Sequence, residues 1–247
     1  MNNSDIQNLY EWLTQAECIT VMTGAGVSAE SGISTFRDAQ EGLWSKYDPM
    51  EMASPEGFSR DPELVWSWYQ WRRQQVQQAS PNAAHLGIAE LQKRLKLYLI
   101  TQNVDGLHQQ AGSTEVIELH GHLFENRCHN SQCDYHESVV DIEEPLKRCN
   151  QCQSAYLRPS VVWFGESLDA SVIDMAQKVS QQCDLFLSVG TSSEVYPAAG
   201  FANVALQAGA KLIEINPNAT SLSSKVDLLI AKPAGQVFKH LMSLFDD

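Results

Sequence analysis

Apolar residues recur at Ile6, Leu9, Tyr10 and Leu13, the 3.6-residue spacing of an amphipathic helix over residues 6–16. A short, nearly unbroken apolar run at 18–23 predicts a buried strand and ends in a glycine turn. Runs at 97–101, 116–119, 185–189, 212–215 and 228–230 predict further strands, and helical spacing at 82–95, 170–181, 198–208 and 235–244 separates most of them. Parallel neighbours need a crossover between them, so strands alternating with helices predict an α/β fold built on a doubly wound parallel sheet.

Two stretches break the alternation. Residues 34–80 contain no convincing strand but a strong helical pattern at 61–78, with Pro62 suited to a first turn. Residues 126–156 are polar, cysteine-bearing and poor in apolar positions. Both read as insertions forming a small lobe, the first helical and the second zinc-binding, and leave 1–33, 81–125 and 157–247 as one Rossmann-like nucleotide-binding domain.

Composition narrows the function. A net charge of -13 over 247 residues opposes nucleic acid and anionic membrane and favours basic protein substrates. The N-terminus carries no secretory pattern and no apolar run reaches membrane-spanning length, so a cytoplasmic protein is expected, acting as a monomer. Of six cysteines, Cys128, Cys133, Cys149 and Cys152 cluster as two knuckles fifteen residues apart, the supply for a closed, structural tetrahedral zinc site. The first knuckle is Cys-x4-Cys rather than Cys-x-x-Cys, which leaves nearby His129 and His136 open as substitute ligands. Cys18 and Cys183 read as small buried apolar residues.

The first strand runs into Gly24-Ala25-Gly26-Val27-Ser28-Ala29, which fits the G-x-G-x-x-G/A dinucleotide turn. A first glycine permits the tight turn, and a second lets backbone approach a pyrophosphate at a helix N-terminus. A plain turn after a core strand would look the same. A hydride-transferring dehydrogenase would continue to a second strand ending in an acidic residue, and here a polar loop with Phe36, Arg37 and Trp44 follows instead.

The run Gly-Ala-Gly-Val-Ser-Ala-Glu-Ser-Gly-Ile-Ser-Thr-Phe-Arg from Gly24 to Arg37 resembles the signature of the sirtuins, NAD-dependent protein-lysine deacylases. The resemblance extends in order through Thr101-Gln-Asn-Val-Asp-Gly-Leu-His108, Glu118-Leu-His-Gly121, Arg158-Pro-Ser-Val-Val-Trp-Phe-Gly-Glu166, Gly190-Thr-Ser192 and Ile215-Asn-Pro217. It implies that NAD is consumed: the nicotinamide–ribose bond breaks, the acyl-lysine oxygen attacks the exposed carbon, and the acyl group passes to ADP-ribose through an alkylimidate.

By the same resemblance His120 is the base that activates a ribose hydroxyl, a task suited to an imidazole titrating near neutrality. Read alone, His120 is equally a strand-end histidine bonded to a loop. Asn103 and Asp105 would face the nicotinamide, Asn103 being catalytic with His120, although the pair with Gly106 also reads as a turn. Gln102 would meet the ribose beside Val104, Phe36 would shield the sugar, and Arg37 and Trp44 would lie near the cofactor. Ala25, Ser28, Ala29, Gly190, Thr191, Ser192, Asn216, Pro217, Asn218 and Ala234 complete the expected NAD contacts. No catalytic role falls to His85, His108 or His122.

Val162, Trp163, Phe164, Gly165 and Glu166 resemble the segment that receives an acylated peptide as an added strand. Their bland reading is a core strand. Tyr69 and Arg72 share a helix face and match the Tyr-x-x-Arg pair of sirtuins that prefer succinyl or malonyl groups. A guanidinium can bind a carboxylate bidentately, and an unpaired buried arginine would be costly. The rival is a helix whose aromatics pack inward while its arginines are solvated. Rival functions are a protein ADP-ribosyltransferase and a non-catalytic NAD-sensing module.

Overall fold

The computed structural model describes residues 3–33 and 46–246, so the expectations for Phe36, Arg37 and Trp44 lie outside the described residues. Among the described residues there are nine strands: β1 (Ile19–Thr23), β2 (Leu97–Thr101), β3 (Ile117–Glu118), β4 (Gly121–Cys128), β5 (His136–Ser138), β6 (Leu157–Val161), β7 (Leu185–Val189), β8 (Lys211–Ile215) and β9 (Leu228–Ile230). Six form one parallel sheet in the order β3-β2-β1-β7-β8-β9. Counted along the chain within that sheet the order is 3-2-1-4-5-6, the Rossmann arrangement, with its switch point between β1 and β7.

Both faces of this sheet are covered, which is why its strands read as apolar runs rather than alternations. Ile19 and Val21 of β1 point into a cluster with helices Asn3–Gln15, Ala83–Arg94 and Ala234–Asp246. Met22, from the other face, packs against helices Ala170–Gln182 and Gly200–Gln207.

A second, antiparallel sheet has the order β5-β4-β6. Residues 121–125 and 157–161, grouped by sequence pattern with the large domain, pair here instead. The reason the pattern hid them is local. β4 alternates polar and apolar residues with a register shift between His122 and Asn126, and β6 carries Pro159, which an edge strand tolerates.

The Pro62–Gln78 helix starts as its sequence predicts, with Pro62 in the first turn and the Asp61 carboxylate accepting from Leu64 N–H at 3.0 Å. Its buried face, with Val65, Trp68, Tyr69 and Val76, packs on Leu123, Val161 and Trp163 of the antiparallel layer. Arg73 is fully buried rather than solvated: Nε donates to the Leu123 carbonyl and Nη2 to Asn126 Oδ1. Helix and small sheet are thereby one unit.

Candidate functional site

In open α/β sheets the ligand crevice opens at the carboxyl ends of the strands flanking the switch point. Here those ends are Gly24 after β1 and Gly190 after β7, and they touch. Gly24 N–H donates to Val189 O at 3.1 Å and Gly26 N–H to Gly190 O at 2.9 Å. A Cβ on Gly26 would stand 2.8 Å from Gly190 O, and one on Gly190, whose φ is +62°, would stand 2.5 Å from Val27 N. These glycines therefore serve first to pack two loops backbone against backbone. The helix after the turn is one turn long, Ala25–Ser28, with Ala25 and Ala29 exposed toward solvent.

Behind the turn lies a buried polar network. Ser28 Oγ donates to Asp105 Oδ2 at 2.7 Å and accepts from Asn103 Nδ2 at 3.1 Å. Asn103 Nδ2 also lies 3.2 Å from Gly24 O, and Asp105 Oδ1 accepts from Leu107 N–H. The loop carrying Asn103 and Asp105 is thus fixed to the glycine turn before any ligand arrives.

His85 completes this network, and sequence reasoning gave it no part. An Asn82–His85 capping box opens the Ala83–Arg94 helix, with Asn82 N–H donating to His85 Nδ1. That leaves Nε2 protonated, 3.4 Å from Ser28 Oγ. Burial pushes the His85 pKa down to about 4 against the pull of Asp105. The His108 ring lies 4.8 Å away at a tilt of 59°, with its Nε2 2.9 Å from Thr23 Oγ1 and its pKa pushed down to about 3 by burial and by His85. The available signal for His85 was the Asn-x-x-His spacing at a predicted helix start.

His120 sits just beyond β3. Its Nδ1 is 2.9 Å from the Gln102 carbonyl oxygen, which can only accept, so Nδ1 carries the proton and Nε2 keeps its lone pair. Burial lowers its pKa and the Gln102 bond raises it, burial dominating. Burial thereby holds the ring toward its neutral form. Gln102 N–H donates to Thr23 O, which ties the base to the end of β1. His122 turns away: Nδ1 accepts from Phe124 N–H, and Nε2 lies 3.9 Å from Glu118.

On the other side of the switch point, Thr191 is buried and its Oγ1 lies 2.9 Å from Ser188 Oγ, while Ser192 is exposed. Asn216 Nδ2 donates to Thr191 O at 2.6 Å and its Oδ1 accepts from Asn218 N–H. Pro217 and Asn218 are exposed. Ala234 is buried at the first turn of the last helix, where Glu30 accepts from Gly235 N–H at 2.6 Å.

The segment at Val162–Glu166 is neither a core strand nor an open edge. Val162, Trp163, Phe164 and Glu166 N–H groups already donate to His120 O, Glu166 Oε2, Ala53 O and Trp163 O. Glu166 Oε2 also accepts from Arg158 at 2.6 Å and Arg127 at 3.0 Å. Its carboxylate pins the segment from inside, while Phe164 and Gly165 are exposed. Trp163 Nε1 donates to Tyr69 Oη at 2.7 Å, so the buried phenol keeps its own proton to give. Arg72, half-buried, lies 5.1 Å over the Trp68 ring, and burial lowers its pKa against the opposing pull of Tyr69 and Asp105.

The four cysteine sulfurs lie within 4.8 Å of one another, with Cys128–Cys152 at 3.5 Å and Cys133–Cys149 at 3.7 Å. A tetrahedral zinc with bonds of about 2.3 Å needs sulfur separations of about 3.8 Å, so the set fits. The histidines are elsewhere. His129 packs against Phe58 with Nε2 toward Ser59, and His136 is paired on β5. The cluster has four ligands and a small cysteine-rich core of its own, the form of a structural site.

A Rossmann-ordered sheet, a glycine-lined backbone contact at its switch point and a four-thiolate lobe define a dinucleotide-using enzyme with a structural zinc module. The Sir2 family model matches residues 24–197, and the chain belongs to that family. It is 49% identical over 228 residues to an NAD-dependent protein deacylase of Ralstonia nicotianae, covering 91% of this chain and 90% of that one. Among solved structures it resembles a Sir2 homologue–NAD complex at 42% identity and TM-score 0.91, covering 97% and 93% of the two chains. A mutant Sir2 homologue in complex with 2′-O-acetyl ADP ribose matches at 43% identity and TM-score 0.88, covering 97% and 96%.

Proposed function

We propose that this NAD-dependent protein deacylase transfers the acyl group of an acyl-lysine to ADP-ribose and releases nicotinamide, and that its acyl range includes succinyl and malonyl groups. The observation that carries the transfer is His120, whose Nδ1–H is spent on the Gln102 carbonyl so that Nε2 is free to take a proton. NAD supplies an electrophilic ribose carbon and the hydroxyl that His120 deprotonates. Asn103 and Asp105, fixed through Ser28, hold an amide and a carboxylate where a carboxamide leaving group would be met. Gly24, Gly26 and Gly190 keep side chains out of the backbone contact between the two loops beside the phosphates.

Tyr69 and Arg72 support the acidic-acyl preference by placement. Tyr69 has a proton to donate, and Arg72, three residues on along the same helix, carries a guanidinium that can meet a carboxylate. The exposed Phe164–Gly165 tip is the part of its segment left to meet a peptide. We further propose a cytoplasmic monomer; among the described residues no helix is long and apolar enough to cross a membrane.

Acetyl-, succinyl- and longer-chain acyl-lysine peptides of one sequence, competed in a single NAD-dependent assay, test both parts. Nicotinamide release that requires the peptide supports deacylation, and release without it indicates ADP-ribosyl transfer to another nucleophile. No release under either condition indicates a binding module. Arg72→Met is expected to reduce desuccinylation about tenfold or more beyond its effect on deacetylation, the loss of one charge-assisted pair. Equal losses would remove the acyl-pocket assignment.

A further inference from the structure

Glu214 sits in the middle of β8, flanked by Ser188 of β7 and Leu229 of β9, and is 0% exposed. Among the described residues no cation is paired with it. Its Oε2 accepts from Ser223 Oγ at 2.5 Å and its Oε1 from Thr220 Oγ1, and both hydroxyls belong to the chain leaving β8. A buried carboxylate without a cation is expensive and persists only where hydrogen bonds answer both oxygens.

The chain so held is the adenosine side of the crevice. Between Glu214 and its two hydroxyl partners lie Asn216, Pro217 and Asn218. Within the loop, Thr220 N–H donates to Ser223 Oγ, and Leu222 is buried in the core below. The loop also grips its neighbour after β7, through Asn216 Nδ2 to Thr191 O and Ser221 Oγ to Ser193 O. Thr191 Oγ1 lies between Ser188 and Ser193 hydroxyls, which continues the hydroxyl chain back to the strand beside Glu214.

We propose that Glu214 is a positioning residue for the dinucleotide: its carboxylate holds the 216–223 loop in the one shape that presents Asn216 to the adenosine ribose, without touching the cofactor itself. This rests on the NAD reading above. The acceptor-only character of a carboxylate is the point, because a carboxamide would offer donors to one of two hydroxyls that must both donate. If loss of the anchor leaves about a tenth of the molecules with the loop in place, apparent affinity falls about tenfold by population alone.

The test is binding of ADP-ribose by titration calorimetry to the zinc-loaded wild type, to Glu214→Gln and to the double variant Thr220→Val/Ser223→Ala. The double variant removes the donors and leaves the carboxylate, so it carries the test if the Gln variant does not fold. Expected in folded protein are a Kd for ADP-ribose and a KM for NAD raised about tenfold, with kcat at saturating NAD and KM for acyl-peptide unchanged. Amide exchange across 216–223 should quicken in the same variants. Unchanged ADP-ribose affinity in either folded variant overturns the anchor. A wild type that binds no ADP-ribose overturns the NAD reading and the anchor with it.

Discussion

A histidine acts as a base only if one nitrogen is unprotonated and aimed at the substrate, and the second nitrogen decides which. In His120 the Gln102 carbonyl makes that decision, and burial keeps the ring neutral by lowering its pKa. Replacing His120 by Ala is expected to lower kcat/KM by about 10²–10⁴-fold, the usual worth of a general base, with ADP-ribose binding retained. In the wild type kcat/KM should fall as pH drops through a midpoint below the ordinary histidine value of 6.5, since the base form exists only above it. A midpoint above that value in a pH–rate profile would deny His120 the role. At this scale the motifs offered His120, Asn103 and Asp105 as candidates, and the chain carries them just after β3 and β2. The motifs passed over His85, whose partner Ser28 is 57 residues away and whose helix looks ordinary. The burial of Arg73 was not legible for a related reason: its acceptors, Leu123 O and Asn126, arrive from a strand that the sequence does not advertise.

Within the small lobe, the cysteine end depends least on apolar packing, unlike the face that meets the Pro62–Gln78 helix. Its cysteine cluster encloses Cys128, Cys149 and Leu157, with little else buried around them. Cys149→Ser should therefore lose the metal and unfold the β5 region. Zinc content measured by atomic absorption should drop from one per chain to none, and a strong chelator should lower the wild-type melting temperature. Full zinc occupancy in the variant would point to another ligand set. The parallel strands were legible because both faces are covered and the apolar runs are continuous. β4 and β6 were not, since one face of their layer is half wet and Pro159 interrupts the pattern.

Across the whole molecule, the two buried histidines couple folding to pH. His85 and His108 have native pKa values near 4 and near 3, below the 6.5 they regain on unfolding. The unfolded chain therefore binds more protons below pH 6.5, so their contribution is fully present above that value and is lost as pH falls through 4 toward 3. Thermal unfolding should show a steep fall in melting temperature across that window, flattened in His108→Gln relative to wild type. A wild-type melting temperature that holds level there would contradict the buried neutral pair. The net charge of -13 acts on the same scale but on encounter: KM for lysine- and arginine-flanked peptides should rise with salt.

In the proposed reaction the nicotinamide–ribose bond is cut so that the acyl group can leave lysine on the sugar. Mass spectrometry of the sugar product from NAD and an acyl-lysine peptide tests it most directly. The geometry around His120 predicts acyl-ADP-ribose equimolar with deacylated peptide and with nicotinamide. ADP-ribose attached to protein, with the peptide still acylated, would contradict it.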